Sequence, residues 1–262
     1  MSGSVRVSRV LVAPLLFVVA LASACGAEPG TQERPDQAAT TSAPAPSPTA
    51  HSRTPDPSTT SSPAATSTPT PRARRVRGVD VSHHQGDIDW ERVRRDRIEF
   101  AYLKATEGST FTDPRFASYA RAAARAGLRV GGYHYYSLCS PGAAQAEHFA
   151  RVLGAAQAPS LPPAIDLELL GNCSDPPPRD DLLREVRAFM NIVERRTGQS
   201  IVVYAYPEFE SRYRIATALE RRQWVRRIGS APPTRDWWIW QRDDRATIDG
   251  ISAPADLNVM AP

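Results

Sequence analysis

Pro163-Ala164-Ile165-Asp166-Leu167-Glu168-Leu169 is an apolar run of the kind that forms a buried strand, interrupted by two carboxylates. Side chains alternate along a strand, so Asp166 and Glu168 fall on one face with Cα atoms roughly 6.5 to 7 Å apart. Ionised groups among apolar neighbours carry a desolvation cost that needs a compensating partner or a chemical purpose. Acid catalysis on a glycosidic bond is one such purpose.

Outward from this strand, further strand signals fall at 78–82, 100–106, 130–136 and 201–206, with helix-like apolar spacing between them at 90–96, 114–126, 143–153 and 180–196. Such alternation implies parallel strands joined by right-handed crossovers. After residue 206 the pattern changes to a polar helical stretch, 208–220, and short strand-like runs at 223–228, 238–242, 247–251 and 257–260 with no room for helices between them. The expected fold class is α/β, an irregular β/α barrel of the TIM-barrel kind that is helix-poor in its last third; an open α/β sheet is the alternative.

In a parallel barrel the chemistry collects at the carboxyl ends of the strands. Polar residues fall near those ends: Asp80 and Ser82, Lys104 and Glu107, Tyr133 and Tyr135, the Asp166/Glu168 pair, Tyr204, then Trp240 and Gln241, and Asp256 just before the final strand. Each has a bland reading beside the functional one. A lone Asp beside a strand also caps turns, and Tyr or Trp also packs cores and rims. His83, His84 and His134 invite a metal reading, but adjacent residues on a strand point to opposite faces, and no metal site is expected. Four acids, several aromatics and no Gly-rich phosphate loop describe a carbohydrate cleft better than a nucleotide site.

The segments before this domain read differently. Arg6 and Arg9 precede an apolar stretch, 10–22, and then Ser23-Ala24-Cys25, the layout of a secretory signal too short for a membrane span. A cysteine at that point resembles the bacterial lipoprotein signal, so residues 1–25 are expected to end in a lipidated Cys25 anchored to the membrane, with plain secretion as the alternative. Residues 26–71 are Pro, Ser, Thr, Ala and Gln-rich without an aromatic, too poor in apolar surface to fold. As a coil this tether would span on the order of 40 Å. Either reading of the leader places the domain, 72–262, outside the cytoplasm.

Residues 1–71 carry four of the 32 Lys+Arg and four of the 28 Asp+Glu, which leaves the domain 28 against 24. That excess does not argue for nucleic acid; it is compatible with an anionic polymer such as cell wall. Cys139 and Cys173 are the two cysteines of the domain, and in an exported chain they read as one disulfide tying neighbouring loops.

Taken together, Gly78-Val-Asp-Val-Ser-His-His-Gln-Gly-Asp-Ile-Asp-Trp90, Phe100-Ala-Tyr-Leu-Lys-Ala-Thr-Glu-Gly108, Gly131-Gly-Tyr-His-Tyr-Tyr136, Ala164-Ile-Asp-Leu-Glu168, Trp238-Ile-Trp-Gln241 and Asp256-Leu-Asn-Val-Met260 resemble, in order, glycoside hydrolase family 25, the muramidases related to the Chalaropsis-type lysozyme. The resemblance implies an irregular β/α barrel that hydrolyses the β-1,4 bond between N-acetylmuramic acid and N-acetylglucosamine in peptidoglycan. Separately, a monomer without a cofactor is expected, though the residues leave the oligomeric state open. The resemblance assigns Glu168 as the general acid, Asp166 as its partner, Asp80 and Asp256 as further cleft acids, and Tyr133, Tyr135 and Tyr204 as aromatic strand ends. Asp166 would act as a nucleophile or by orienting the substrate's N-acetyl group. Arg242 and Met260 depart from the family pattern, where aromatics are common. A non-catalytic wall-binding module and a metal-dependent wall deacetylase or amidase are the competing classes.

Overall fold

The computed structural model describes residues 74–156 and 159–262; the expected leader with Cys25 and the tether lie outside the described residues. Strands β1 (Val76–Val81), β2 (Ile98–Glu107), β4 (Arg129–Tyr135), β5 (Ala164–Leu167), β6 (Val202–Ala205), β7 (Gln223–Arg226), β8 (Ile239–Ala246) and β9 (Ala255–Met260) form a closed eight-stranded barrel. The two-residue β3 (Phe111–Thr112) hangs on β2 as an antiparallel flap. Closure comes from β1, which pairs with β2 on one side and β9 on the other, so the open-sheet alternative is set aside.

The first half follows the expected alternation. Helices α1 (Trp90–Arg95), α2 (Phe116–Arg125), α3 (Gly142–Ala156) and α4 (Arg179–Thr197) cover the outside of β1 through β6. α4 shows why its sequence is a helix: Leu182, Leu183, Val186, Phe189, Met190 and Val193 repeat at helical spacing and are all buried. Asp180 and Asp181 favour its amino end, and Gly198 at φ 69° ends it in the left-handed region.

Two segments of the last third depart from expectation. The helical stretch at 208–220 is broken into α5 (Pro207–Tyr213) and α6 (Ala216–Leu219), with Arg214 at φ 48° between them. The Glu210 carboxylate turns back there to accept the N–H groups of Ile215 and Ala216, each at 3.0 Å. The run 247–251 is no strand. Gly250 at φ 95° makes a turn whose carbonyl accepts the Asp89 N–H at the start of α1, and only Ile251 forms a bridge, to Ile88. β7 and β8 are parallel although no helix joins them, whereas β9 runs antiparallel to both neighbours.

Period-two alternation sorts the barrel interior into layers. At the bottom, Phe100, Tyr102, Ala164, Val202, Trp224, Ile239 and Met260 pack into one apolar plug. The aromatic rings fit because their neighbours lack side chains: a Cβ on Gly78 would lie 2.3 Å from the Phe100 ring and one on Gly131 2.4 Å from Tyr102. Two residues further along the same strands, the inward positions become polar. Cys139 and Cys173, on the loops after β4 and β5, form the expected disulfide, with Cα atoms 5.7 Å apart.

Candidate active site

Above the plug lies a cleft of about 310 Å³ lined by Asp80, Ser82, Lys104, Tyr133, Tyr135, Asp166, Glu168, Tyr204, Gln241 and Asp256, all expected near the strand ends, and by His84, Tyr206, Trp224, Arg226 and Asp244, which are not among the expected cleft residues. Register explains the convergence. Asp80 lies opposite Asp256, Tyr135 opposite Asp166, and Asp166 opposite Tyr204. Because β9 is antiparallel, the start of that strand sits at the rim where the parallel strands end. Asp256, expected just before the final strand, is its second residue.

Two expected residues are placed elsewhere. Trp240 does not line the cleft; it is 3% exposed, its indole N–H donates to the Arg227 carbonyl at 2.6 Å, and Arg242 lies 5.3 Å over its ring. Gln241 takes the inward position, and neighbours on a strand cannot share a face. Glu107 stands outside the lining and reaches the cleft only through Lys104, whose ammonium donates to it at 2.5 Å. The histidines are occupied separately: His83 Nδ1 lies 2.8 Å from Asp113, and His134 is buried between Thr106 and Gln145 and stacked on Phe189.

The acids form two couples. Burial pushes Asp80 well above the usual carboxylate range, and the neighbouring Asp256 charge adds to this. Asp256 itself is raised to about 6, chiefly by burial. Burial likewise raises Asp166, followed by the charge of Glu168, and it raises Glu168. The couples therefore hold protons at pH values where an exposed carboxyl has lost its own.

Hydrogen bonds fix one couple and leave the other open. Asn258, fully buried, donates to Asp80 at 2.6 Å and accepts the Trp224 indole N–H at 2.8 Å. The Tyr204 hydroxyl donates to Gln241 at 3.0 Å. By contrast Oδ1 of Asp166 is buried without a hydrogen-bond partner among the described residues. Such an atom at a cleft surface suits a donor that arrives with the substrate.

Comparison with known proteins decides the family: the model of "Glycosyl hydrolases family 25" matches residues 79–251. The chain belongs to this family. It is a glycoside hydrolase, a muramidase. Among similar proteins, the autolytic lysozyme of Clostridium acetobutylicum is 31% identical over 70% of this chain and 55% of its own length. Lysozyme M1 of Streptomyces globisporus is 31% identical over 70% and 67% respectively. The uncharacterised protein YegX of Escherichia coli is 34% identical over 72% of this chain and 71% of its own. In three dimensions, a family 25 glycosyl hydrolase from Bacillus anthracis superposes with a TM-score of 0.66, 34% identical and covering 71% of this chain and 89% of that one.

Proposed function

We propose that this family 25 enzyme acts outside the cytoplasm on peptidoglycan, hydrolysing the β-1,4 bond between N-acetylmuramic acid and N-acetylglucosamine, with Glu168 as general acid and base. The observation that carries this reading is Glu168, just beyond β5, lining the cleft beside Asp166 with its carboxyl raised by burial and by the Asp256 charge. A carboxyl whose proton is retained towards neutral pH is what protonation of a glycosidic oxygen requires.

Asp166 acts by holding the substrate's acetamido group. A deeply buried carboxyl beside another acid is a weak nucleophile, but its unpartnered Oδ1 accepts an amide N–H in either protonation state. The acetamido oxygen then attacks C1 as Glu168 gives its proton to the departing glycosidic oxygen. In the second step a water attacks C1 from the vacated side, giving its proton to the Glu168 carboxylate, and the acetamido group is released. The product keeps the anomeric configuration of the substrate.

Glu168→Gln tests the assignment: with purified cell walls, the release of new reducing ends should fall about 10²-fold or more. A variant that keeps most of the activity would remove Glu168 from the role. Mass spectrometry of the products decides the bond, since reducing N-acetylmuramic acid supports this reading and reducing N-acetylglucosamine sinks it. Cys25 anchors the chain in this account; transfer of the protein from the membrane to the soluble fraction in Cys25→Ala tests that part separately.

A further inference from the structure

Five carboxyls line the cleft, Asp80, Asp166, Glu168, Asp244 and Asp256, against two cations, Lys104 and Arg226. The cations are seated alike on opposite members of the barrel. Lys104 pairs with Glu107 and lies 4.8 Å over the Tyr135 ring. Arg226 pairs with Asp244, and its guanidinium lies 4.8 Å over the Tyr206 ring. They differ in what remains available. A guanidinium carries five N–H donors in a planar fork. Among the described residues, Arg226 uses one of its two Nη groups, in the hydrogen bond to Asp244. Asp244 holds one end of the fork and Tyr206 covers one face, so the remaining donors are held in place at the cleft wall.

The placement of Asp244 depends on an irregularity. The pairing of β8 with β9 shifts register between Gln241 and Asp243 and again between Asp243 and Ala246. Without these shifts alternation would turn Asp244 away from the face that Gln241 occupies; with them, both line the cleft. The strand is thus bent so that a cross-strand ion pair stands beside Glu168 and Asp256.

A cleft so rich in carboxyls is unfavourable for an anionic ligand unless a cation is presented where the negative group must sit. Arginine's fork matches a carboxylate through two parallel hydrogen bonds. We propose that Arg226 is a specificity-determining residue that binds a carboxylate carried on the lactyl arm of the muramic acid: the arm's own, where the stem peptide has been removed, or an acidic group of the peptide, where it is attached. This rests on the reading of the enzyme as a peptidoglycan muramidase.

The test uses the full chain and three glycans: strands bearing stem peptides, strands stripped of peptide, and stripped strands whose lactyl carboxylates are capped as neutral amides. The wild type should favour a carboxylate-bearing strand over the amidated one, with the difference in KM rather than kcat. Preference for the stripped strand identifies the lactyl carboxylate, and preference for the peptide-bearing strand identifies the peptide acid. Arg226→Gln should lower the ratio of kcat/KM values about tenfold, the scale of one charge-assisted hydrogen bond, and Arg226→Lys should restore part of it. An unchanged ratio in Arg226→Gln, with only its pH profile moved, would overturn the proposal and make Arg226 a modulator of Glu168. A wild type that releases no reducing ends from any of the strands defeats the muramidase reading itself, whereas cleavage of all three at one rate defeats only the inference about Arg226.

Discussion

At the scale of single residues, the acids were legible because carboxylates on apolar strands are costly and few explanations cover the cost. Their partners were not. Asn258 in Asp-Leu-Asn-Val reads as an ordinary strand residue, yet it is fully buried and joins Asp80 to Trp224. Asn258→Ala should strand the Trp224 N–H and take a donor from Asp80, lowering stability by about 2 kcal/mol. Because that hydrogen bond lowers the Asp80 pKa, its loss should raise Asp80 further. Urea denaturation of the variant beside the wild type reads the first effect, and an unchanged midpoint would show that water replaces the amide. Arg226 and Asp244 are illegible in the sequence for another reason: a charged residue on a strand has an ordinary solvent-facing reading, and only the barrel's inward face gives it a cleft.

Elements were read well where periodicity was strong and poorly where a turn imitated it. β1, β2, β4, β5, β6 and their intervening helices follow apolar patterns long enough to fix type and order. The run at 247–251 carries two isoleucines in a short strand-like stretch, but Gly250 is needed in the left-handed region to dock on α1, where a Cβ would lie 2.4 Å from the Asp89 carbonyl. Within β4, Gly131 does the opposite task of leaving room inside the barrel. Tyr102 fills that room and is anchored by its hydroxyl, which donates to the Pro162 carbonyl at 2.9 Å. Gly131→Ala should therefore cost about 1 to 3 kcal/mol through overpacking, visible as a lowered thermal midpoint; a variant as stable as the wild type would mean that the ring can swing aside.

At the scale of the whole molecule, the site is held at the expense of stability. Asp256, raised to about 6 from the ordinary 3.8, and Asp80 and Asp166, raised well above that ordinary value by burial, bind protons more tightly in the folded state than in the unfolded. Their contribution is complete below about pH 4 and is lost as pH rises through the folded values. His134 opposes this on the acid side. Burial holds it down at about 3, so stability falls as pH drops below its unfolded value near 6.5. Above that value the raised acids dominate, and the thermal midpoint should decline as pH rises further. Asp166→Asn should flatten the decline and be more stable than the wild type at pH 8 while losing most of its rate. A midpoint that rises across this range would show that the couples do not retain their protons.

The sequence by itself determined the order of strands and helices, the acids and aromatics that belong at their ends, and the family, because apolar periodicity and ordered motifs are local properties of the chain. Tertiary structure decided which residues face one another. Closure of the barrel through an antiparallel β9 brought Asp256 against Asp80, alternation turned Trp240 out and Gln241 in, and the irregular register of β8 set Asp244 beside Arg226. These outcomes depend on pairing between segments far apart in the chain, and a one-residue change of register reverses the face that a side chain occupies.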